Sequence, residues 1–432
     1  MWRAGEAFMG WLAPARAIRK PFMPQVSVTD SVQAPDTQVS NLLVYSLGFN
    51  QILVWAASYY LPAVLSLPIA ADTGWPLSWI VSGLTLGLLT GGFCAPRVGM
   101  IIKRRGGRNV LAASSVLLAA GLAILAVSSS LPAYLFGWLI IGCAMGTGMH
   151  DAVFATFGVL YGRNARKAIT NFTLLSGFAS SVAWPLSTIL VQYLGWRGTL
   201  WAYAAIHLVF SLPLYLLLVP QTGPAERIAP VAQSGSRSKY GASWICREFF
   251  LMAMVISLST AISGSIFVNL LAILKAAGHS LASTVALGAL VGPAIVFARI
   301  VEKASGERIT PPRLLAGSTA LIVLGVIGLL FGAATWAGPA LIAFGAGVGI
   351  GVIARGTVPL YIFGPIEYPA IVGKVAMPAM MSQALVPSIS ALVIDRWGTT
   401  TLLYCLSGMG FISLAIALVL SGVIARREGE KS

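Results

Sequence analysis

The sequence predicts an all-α membrane protein whose twelve transmembrane helices form two pseudo-symmetric six-helix bundles. Three observations carry this expectation. First, 57% of the 432 residues are hydrophobic and only 9% are charged, too few charges to cover a soluble protein of this length. Second, apolar stretches recur from about residue 42 to residue 425, each long enough to cross a hydrocarbon core of roughly 30 Å as a helix. Third, the second half of the chain repeats the glycine and proline spacing of the first. Helices satisfy their own backbone hydrogen bonds in lipid, and the alternating ten-residue strands of a membrane barrel do not occur.

The spans fall at about 42–68, 77–101, 108–129, 132–160, 168–193, 197–219, 247–275, 280–301, 313–334, 337–365, 370–394 and 398–424. The net charge is +15. In a soluble protein that excess suggests nucleic acid; here it fits loops facing anionic lipid, with no nucleic-acid partner. Of 28 Lys and Arg, the loops on one side hold only Arg197, Lys275 and Arg396, and Arg355 stands inside a span. The rest lie on the side of the termini, which places both termini in the cytoplasm.

Residues 1–40 read as a cytoplasmic tail, because Pro14, Arg16 and Arg19 interrupt any signal-peptide core. Trp2 and Trp11 are suited to rest on the membrane surface, and a start codon further along is the alternative. Residues 221–246, rich in Gly, Pro and Ser, read as a cytoplasmic linker between bundles at 41–220 and 247–425, with a short tail at 426–432. Four cysteines without CxxC spacing give no metal cluster or disulfide framework.

The repeat is specific. "GCAMGTG" (142–148) in span 4 and "GAGVGIG" (345–351) in span 10 align Gly142, Gly146 and Gly148 with Gly345, Gly349 and Gly351. "PLSTILV" (185–191) and "PSISALV" (387–393) follow in spans 5 and 11. A parallel repeat places a substrate site between the halves near the bilayer midplane.

Asp151 is the one acid well inside a span, where a charged carboxylate costs at least about 2.5–3.5 kcal/mol by insertion scales. Helical spacing puts it on a stripe of small residues with Ala144, Gly148, Ala155 and Gly158, while His150 points about 100° away. Two readings of Asp151 stand open: a proton-coupling acid, or half of a structural ion pair. His150 is either a ligand-binding group or a neutral histidine bonded to a neighbouring helix. Arg355, in the corresponding span 10, is the basic residue well inside a span, and its planar fork suits a carboxylate. At the repeat spacing it matches Ala152 rather than Asp151, an offset that a kink near Gly356 and Pro359 could remove.

In span 1, Asn50 and Gln51 can hydrogen-bond a ligand and Trp55 and Tyr59 can stack on one; the alternative is that they tie span 1 to its neighbours. Span 7 carries a polar stripe, 257–269, with Ser263, Asn269 and a candidate break at Gly264; such side chains commonly bond within their own helix. Trp75, Trp79, Trp196 and Trp336 read as interfacial anchors. Glu302, beside Arg299 and Lys303 near the inner end of span 8, reads as plain loop charge or a conformational latch.

Three stretches resemble the major facilitator superfamily of secondary transporters. "GMIIKRRGGR" (99–108) is similar to the family's G-x-x-x-D-R-x-G-R-R loop through Gly99, Arg104, Gly106 and Arg108, with Lys103 where the family has Asp. The resemblance implies a conformational loop whose acidic latch is altered or absent; a plain basic loop is the alternative. Residues 160–203 and 355–387 are similar to a proteobacterial branch of the family. Span 5 has Trp184-Pro185-Leu186-Ser187 instead of the G-P-x-x-G-G run of drug/proton antiporters. The resemblance also implies that spans 1, 4, 7 and 10 line the cavity.

The resulting expectation is a monomeric secondary active transporter of a bacterial inner membrane. It would move a small organic solute, an organic anion on Arg355 being one form, with Asp151 as proton-coupling acid or counter-ion. An efflux carrier for a toxic or hydrophobic compound is the same-fold alternative, for which Cys94 and Cys143 leave room. A membrane-embedded enzyme needs catalytic groups at one depth, yet His207 and His279 fall in another span and an outer loop, so no enzyme is expected. No GxxxxGK[ST] loop occurs, and no cofactor or metal is expected.

Overall fold

The structure, a computed structural model, describes residues 39–221, 246–305, 308–332 and 335–429. The expected N-terminal tail through residue 38, nearly all of the 221–246 linker and residues 430–432 lie outside the described residues. The described residues are helical: α1 Asn41–Ala56, α2 Leu61–Thr73, α3 Leu77–Arg105, α4 Arg108–Val127, α5 Leu131–Gly148, α6 His150–Tyr161, α7 Ala165–Ser176, α8 Ala179–Ile206, α9 Leu212–Leu218, α10 Arg247–Ala276, α11 Leu281–Ala289, α12 Val291–Ala304, α13 Pro311–Gly332 and α14 Ala337–Gly429.

A continuous helix of 93 residues, the length of α14, would run about 140 Å, against a hydrocarbon core of roughly 30 Å. It turns instead at Gly364 (φ 72°) and Gly398 (φ 84°), and α8 turns at Gly195 (φ 67°). Gly162 (φ 54°) ends α6. These left-handed conformations are open to glycine and strained for other residues. Eight stretches among the described residues are long and apolar enough to cross a membrane, and the two longest, Leu131–Leu218 and Ala337–Arg427 at 88 and 91 residues, contain these turns.

Several passes expected as single helices are broken. Span 1 divides into α1 and α2 just before Pro62, which lacks the N–H needed to continue the ladder. Span 4 divides at Met149, whose ψ of −179° is extended. Spans 5 and 8 divide at Gly177–Phe178 and Leu290. By contrast α10 runs unbroken through Gly264, since a glycine keeps its N–H and costs a helix only about 1 kcal/mol. The backbone around Gly356 and Pro359 also stays helical.

The glycine repeat acts as a packing code. A Cβ on Gly142 or Gly146 of span 4 would meet the carbonyls of Gly87 and Gly91 in span 2 at 2.5 and 2.8 Å. A Cβ on Gly345 or Gly349 of span 10 would meet those of Val291 and Ile295 in span 8 at 2.8 and 2.5 Å. Gly148 faces Ser114 of span 3, and Gly351 faces Ser318 of span 9. Each half therefore packs its fourth pass on its second and third in the same way, with backbones in close approach where small residues permit it.

The halves meet most closely at the end carrying the basic loops. Gly99 of α3 and Gly373 of α14 touch backbone to backbone: a Cβ on either would lie 2.4 Å from the carbonyl of Pro369 or Ala95. Gly158 of α6 seats the ring of Tyr368. Arg166 of α7 donates to the Ile309 carbonyl (2.9 Å) and lies 3.5 Å from Glu302. Among the described residues, every ion pair joining the halves lies at this end or at mid-depth. Toward the other end Trp184, Ile189 and Tyr193 of α8 and Leu385, Ile389 and Leu392 of α14 stand exposed.

Candidate functional site

The two charges singled out in spans 4 and 10 meet. Arg355 Nε donates to Asp151 Oδ1 (3.0 Å) and Nη2 donates to Oδ2 (2.6 Å), a fork-to-fork pair that is largely buried. The break at Met149 makes it. It restarts the helix as α6 with Asp151 in the first turn, where unpaired N–H groups favour an anion. Span 10 has no such break, so the compensation for the one-residue repeat offset lies in span 4, not at the kink expected near Gly356. Ala95, Val98, Gly99, Ala155 and Gly373 enclose a small cavity beside Asp151, with room for roughly one water.

His150 turns the other way. Trp55 Nε1 donates to His150 Nδ1 (3.0 Å), and His150 Nε2 lies 3.1 Å from Ser176 Oγ. An indole N–H can only donate, so Nδ1 is unprotonated and a neutral ring carries its proton on Nε2, toward Ser176. Phe154 and Phe172 pack on the ring at 5.7 and 5.4 Å between centroids. His150 thus joins span 4 to spans 1 and 5.

The remaining residues from spans 1 and 7 divide. Asn50 is fully buried and accepts from Ser211 in span 6 (2.6 Å). Gln51 is fully buried as well, with neither side-chain polar atom satisfied. Trp55, Tyr59 and Tyr60 form an aromatic layer with centroids 5.1–5.7 Å apart, and the Tyr59 hydroxyl reaches Gln383 of the other half. Ser263 bonds its own helix at Ser259 (2.8 Å), and Asn269 bonds Ser265 (2.9 Å). In the 99–108 loop, Gly106 makes the turn (φ 78°), Lys103 pairs with Glu367 (2.6 Å), and Arg108 begins α4 with Nε buried and unpartnered. Trp79 and Trp336 are exposed, as anchors would be, whereas buried Trp196 bonds Asp72, which also pairs with Arg197.

One residue was misjudged by sequence position. Arg299 of α12 is 5% exposed. Its Nε donates to the Gly349 carbonyl of span 10 (3.2 Å) and its Nη1 to the Thr173 carbonyl of span 5. Side chains lean toward a helix N-terminus, which carries this guanidinium from near the inner end of span 8 toward mid-depth. Cys94 and Cys143, distant in sequence, bring their sulfurs to 3.9 Å.

Two matched halves around a buried interfacial ion pair define the architecture of a multi-pass membrane transporter. The chain belongs to the Major Facilitator Superfamily, whose sequence model matches residues 47–365. The human organic anion transporter MFSD10 is similar in structure, with a TM-score of 0.67 at 16% identity, covering 89% of this chain and 100% of that one. FucP in the outward conformation gives a TM-score of 0.69 at 14% identity, over 89% and 99% of the two chains. A second structure of FucP, the fucose:proton symporter of E. coli, gives 0.66 at 14%, with the same coverage. At these identities the likeness defines the fold. No curated protein matches the chain in sequence.

Proposed function

We propose that the protein is a secondary active transporter of a small organic solute, working by alternating access and coupled to protons through Asp151. The observation that carries this reading is the two-point ion pair of Asp151 and Arg355, which joins the halves at mid-depth. Protonating Asp151 removes the charge that Arg355 grips, so proton loading and separation of the halves become one event. The cost of leaving either partner alone in a low-dielectric site keeps the two linked.

The positive-inside asymmetry assigns the basic end to the cytoplasm of a bacterial inner membrane. In that orientation the Lys103–Glu367 pair and the Gly99–Gly373 contact seal the cytoplasmic side, and the structure represents the outward-facing state. The bundles at 41–220 and 247–425 then act as the rocking units, joined by the 221–246 linker. The 3.9 Å approach of Cys94 to Cys143 favours export of a soft, thiophilic compound as the second reading.

Reconstitution into liposomes with an imposed pH gradient tests the coupling. Asp151→Asn should abolish gradient-driven accumulation while leaving solute exchange intact; full accumulation by that variant removes Asp151 from the coupling role. Growth of deletion and overexpression strains on toxic compounds separates export from uptake.

A further inference from the structure

Arg299 carries a charge that its surroundings do not cancel. Its guanidinium meets two backbone carbonyls, one from each half, and no carboxylate among the described residues. Glu302, one turn along α12, is directed to Arg166 and Thr170 instead, each at 3.5 Å. Among the described residues the charges at mid-depth are then two cations, Arg299 and Arg355, against one anion, Asp151. Since Arg355 is matched by Asp151, the excess is a single positive charge, located on Arg299.

The approach to Arg299 suits a ligand. Gly177 leaves the guanidinium room: a Cβ there would lie 2.5 Å from Nη1. Among the described residues Nη2 bonds no protein acceptor. Tyr60 is near enough to Arg299 for the two groups to interact electrostatically, its hydroxyl reaches Ser180, and Trp184 packs against its ring at 6.3 Å. Ser180 and Trp184 in turn line a groove of about 560 Å³ along the face of α8.

Resting on the transport reading above, we infer that Arg299 is the substrate-anion site and that the solute is a monovalent organic anion with a small apolar body. A carboxylate accepts from Nη2, the guanidinium nitrogen that the two carbonyls leave open, and brings the single negative charge that the site lacks. The aromatic layer of Tyr60, Trp55 and Trp184 receives the apolar body. A neutral solute leaves the excess charge buried and uncancelled. Arg355, already gripped by Asp151, serves the coupling step.

The test uses the purified full-length protein and three carboxylates, benzoate, lactate and acetate, each beside its uncharged amide, with binding read by calorimetry and thermal shift. At least one carboxylate should bind and its amide should not. Arg299→Gln should weaken that binding at least about thirtyfold. Arg299→Lys, which keeps the charge but loses the fork, should weaken it less and still prefer the anion. Asp151→Asn should bind the anion at least as tightly as the native protein while losing gradient-driven accumulation. The inference is overturned if no carboxylate binds, if an amide binds as tightly as its acid, or if Arg299→Gln or Arg299→Lys binds like the native protein. Proton-driven accumulation of a neutral solute would also sink it and leave the role of Asp151 standing. Accumulation by Asp151→Asn with anion binding intact would do the reverse.

Discussion

Lys103 Nζ lies 2.6 Å from Glu367 Oε1, and the pair ties the end of α3 in one half to the start of the eleventh pass in the other. Lys103 stands where the motif it resembles has Asp, and its partner is drawn from the opposite half, so we propose that the pair serves as a latch of altered polarity. Both side chains are about one-third exposed, and such pairs contribute about 0–1 kcal/mol. Lys103→Glu alone should therefore shift the balance of states toward an open basic end by a few-fold, without unfolding the protein. Lys103→Glu with Glu367→Lys should restore it. Spin-label distances across the basic end, measured at low and high salt, check both; an effect of Lys103→Glu that the second change does not reverse counts against the latch.

The Asp151–Arg355 pair predicts a different pattern, because it is buried. Arg355→Gln leaves a carboxylate uncompensated and should cost about 3–5 kcal/mol of stability. Arg355→Gln combined with Asp151→Asn replaces the ion pair by two amides and should recover most of that loss, but no proton-driven transport. Unfolding midpoints of the single and double variants decide it. A double variant whose loss equals the sum of the separate Arg355→Gln and Asp151→Asn losses would show that the two residues are not energetically coupled.

These contacts separate what the chain displays from what only folding reveals. The passes were legible because hydropathy runs are set by bilayer thickness, and the repeat because glycine is needed wherever helix backbones touch. Asp151 and Arg355 stood out as isolated charges in apolar surroundings. Arg299 did not, since Glu302 and Lys303 beside it mimic a loop; the available signal was that its side chain points away from them, back along the helix. Lys103–Glu367 and Cys94–Cys143 join residues 264 and 49 positions apart, and no local pattern encodes such pairings. The break at Met149 carries no proline or adjoining turn motif, which is why span 4 read as one helix.

Gly99 and Gly373 offer a steric test of closure. A Cβ on either would lie 2.4 Å from a carbonyl oxygen of the other half, a contact that only backbone movement can relieve. Gly99→Val or Gly373→Val should hold the basic end open and reduce transport more than tenfold, an effect of about 1.4 kcal/mol or more on the closed state, while helicity and oligomeric state stay unchanged. Accessibility of an engineered cysteine at the basic end to a membrane-impermeant maleimide reads the state directly. Unchanged accessibility with transport lost would place the defect elsewhere.

His150 provides the control for its neighbour Asp151. The ring accepts from Trp55 Nε1 at 3.0 Å and lies 3.1 Å from Ser176 Oγ, a chain of bonds joining spans 1, 4 and 5 of the same half. Removing the ring leaves a partly buried indole N–H without its acceptor, at a cost of up to about 1–3 kcal/mol. His150→Phe should therefore lower the unfolding midpoint, and Trp55→Phe in the same chain should recover part of the loss by removing the orphaned donor. Because a neutral ring held by a donor on one side does not exchange protons with the cavity, the pH dependence of transport should keep its shape in His150→Phe, at reduced amplitude. In Asp151→Asn that dependence should disappear. A flattened pH profile in His150→Phe, with Asp151 intact, would move the proton-carrying role from the aspartate to the histidine.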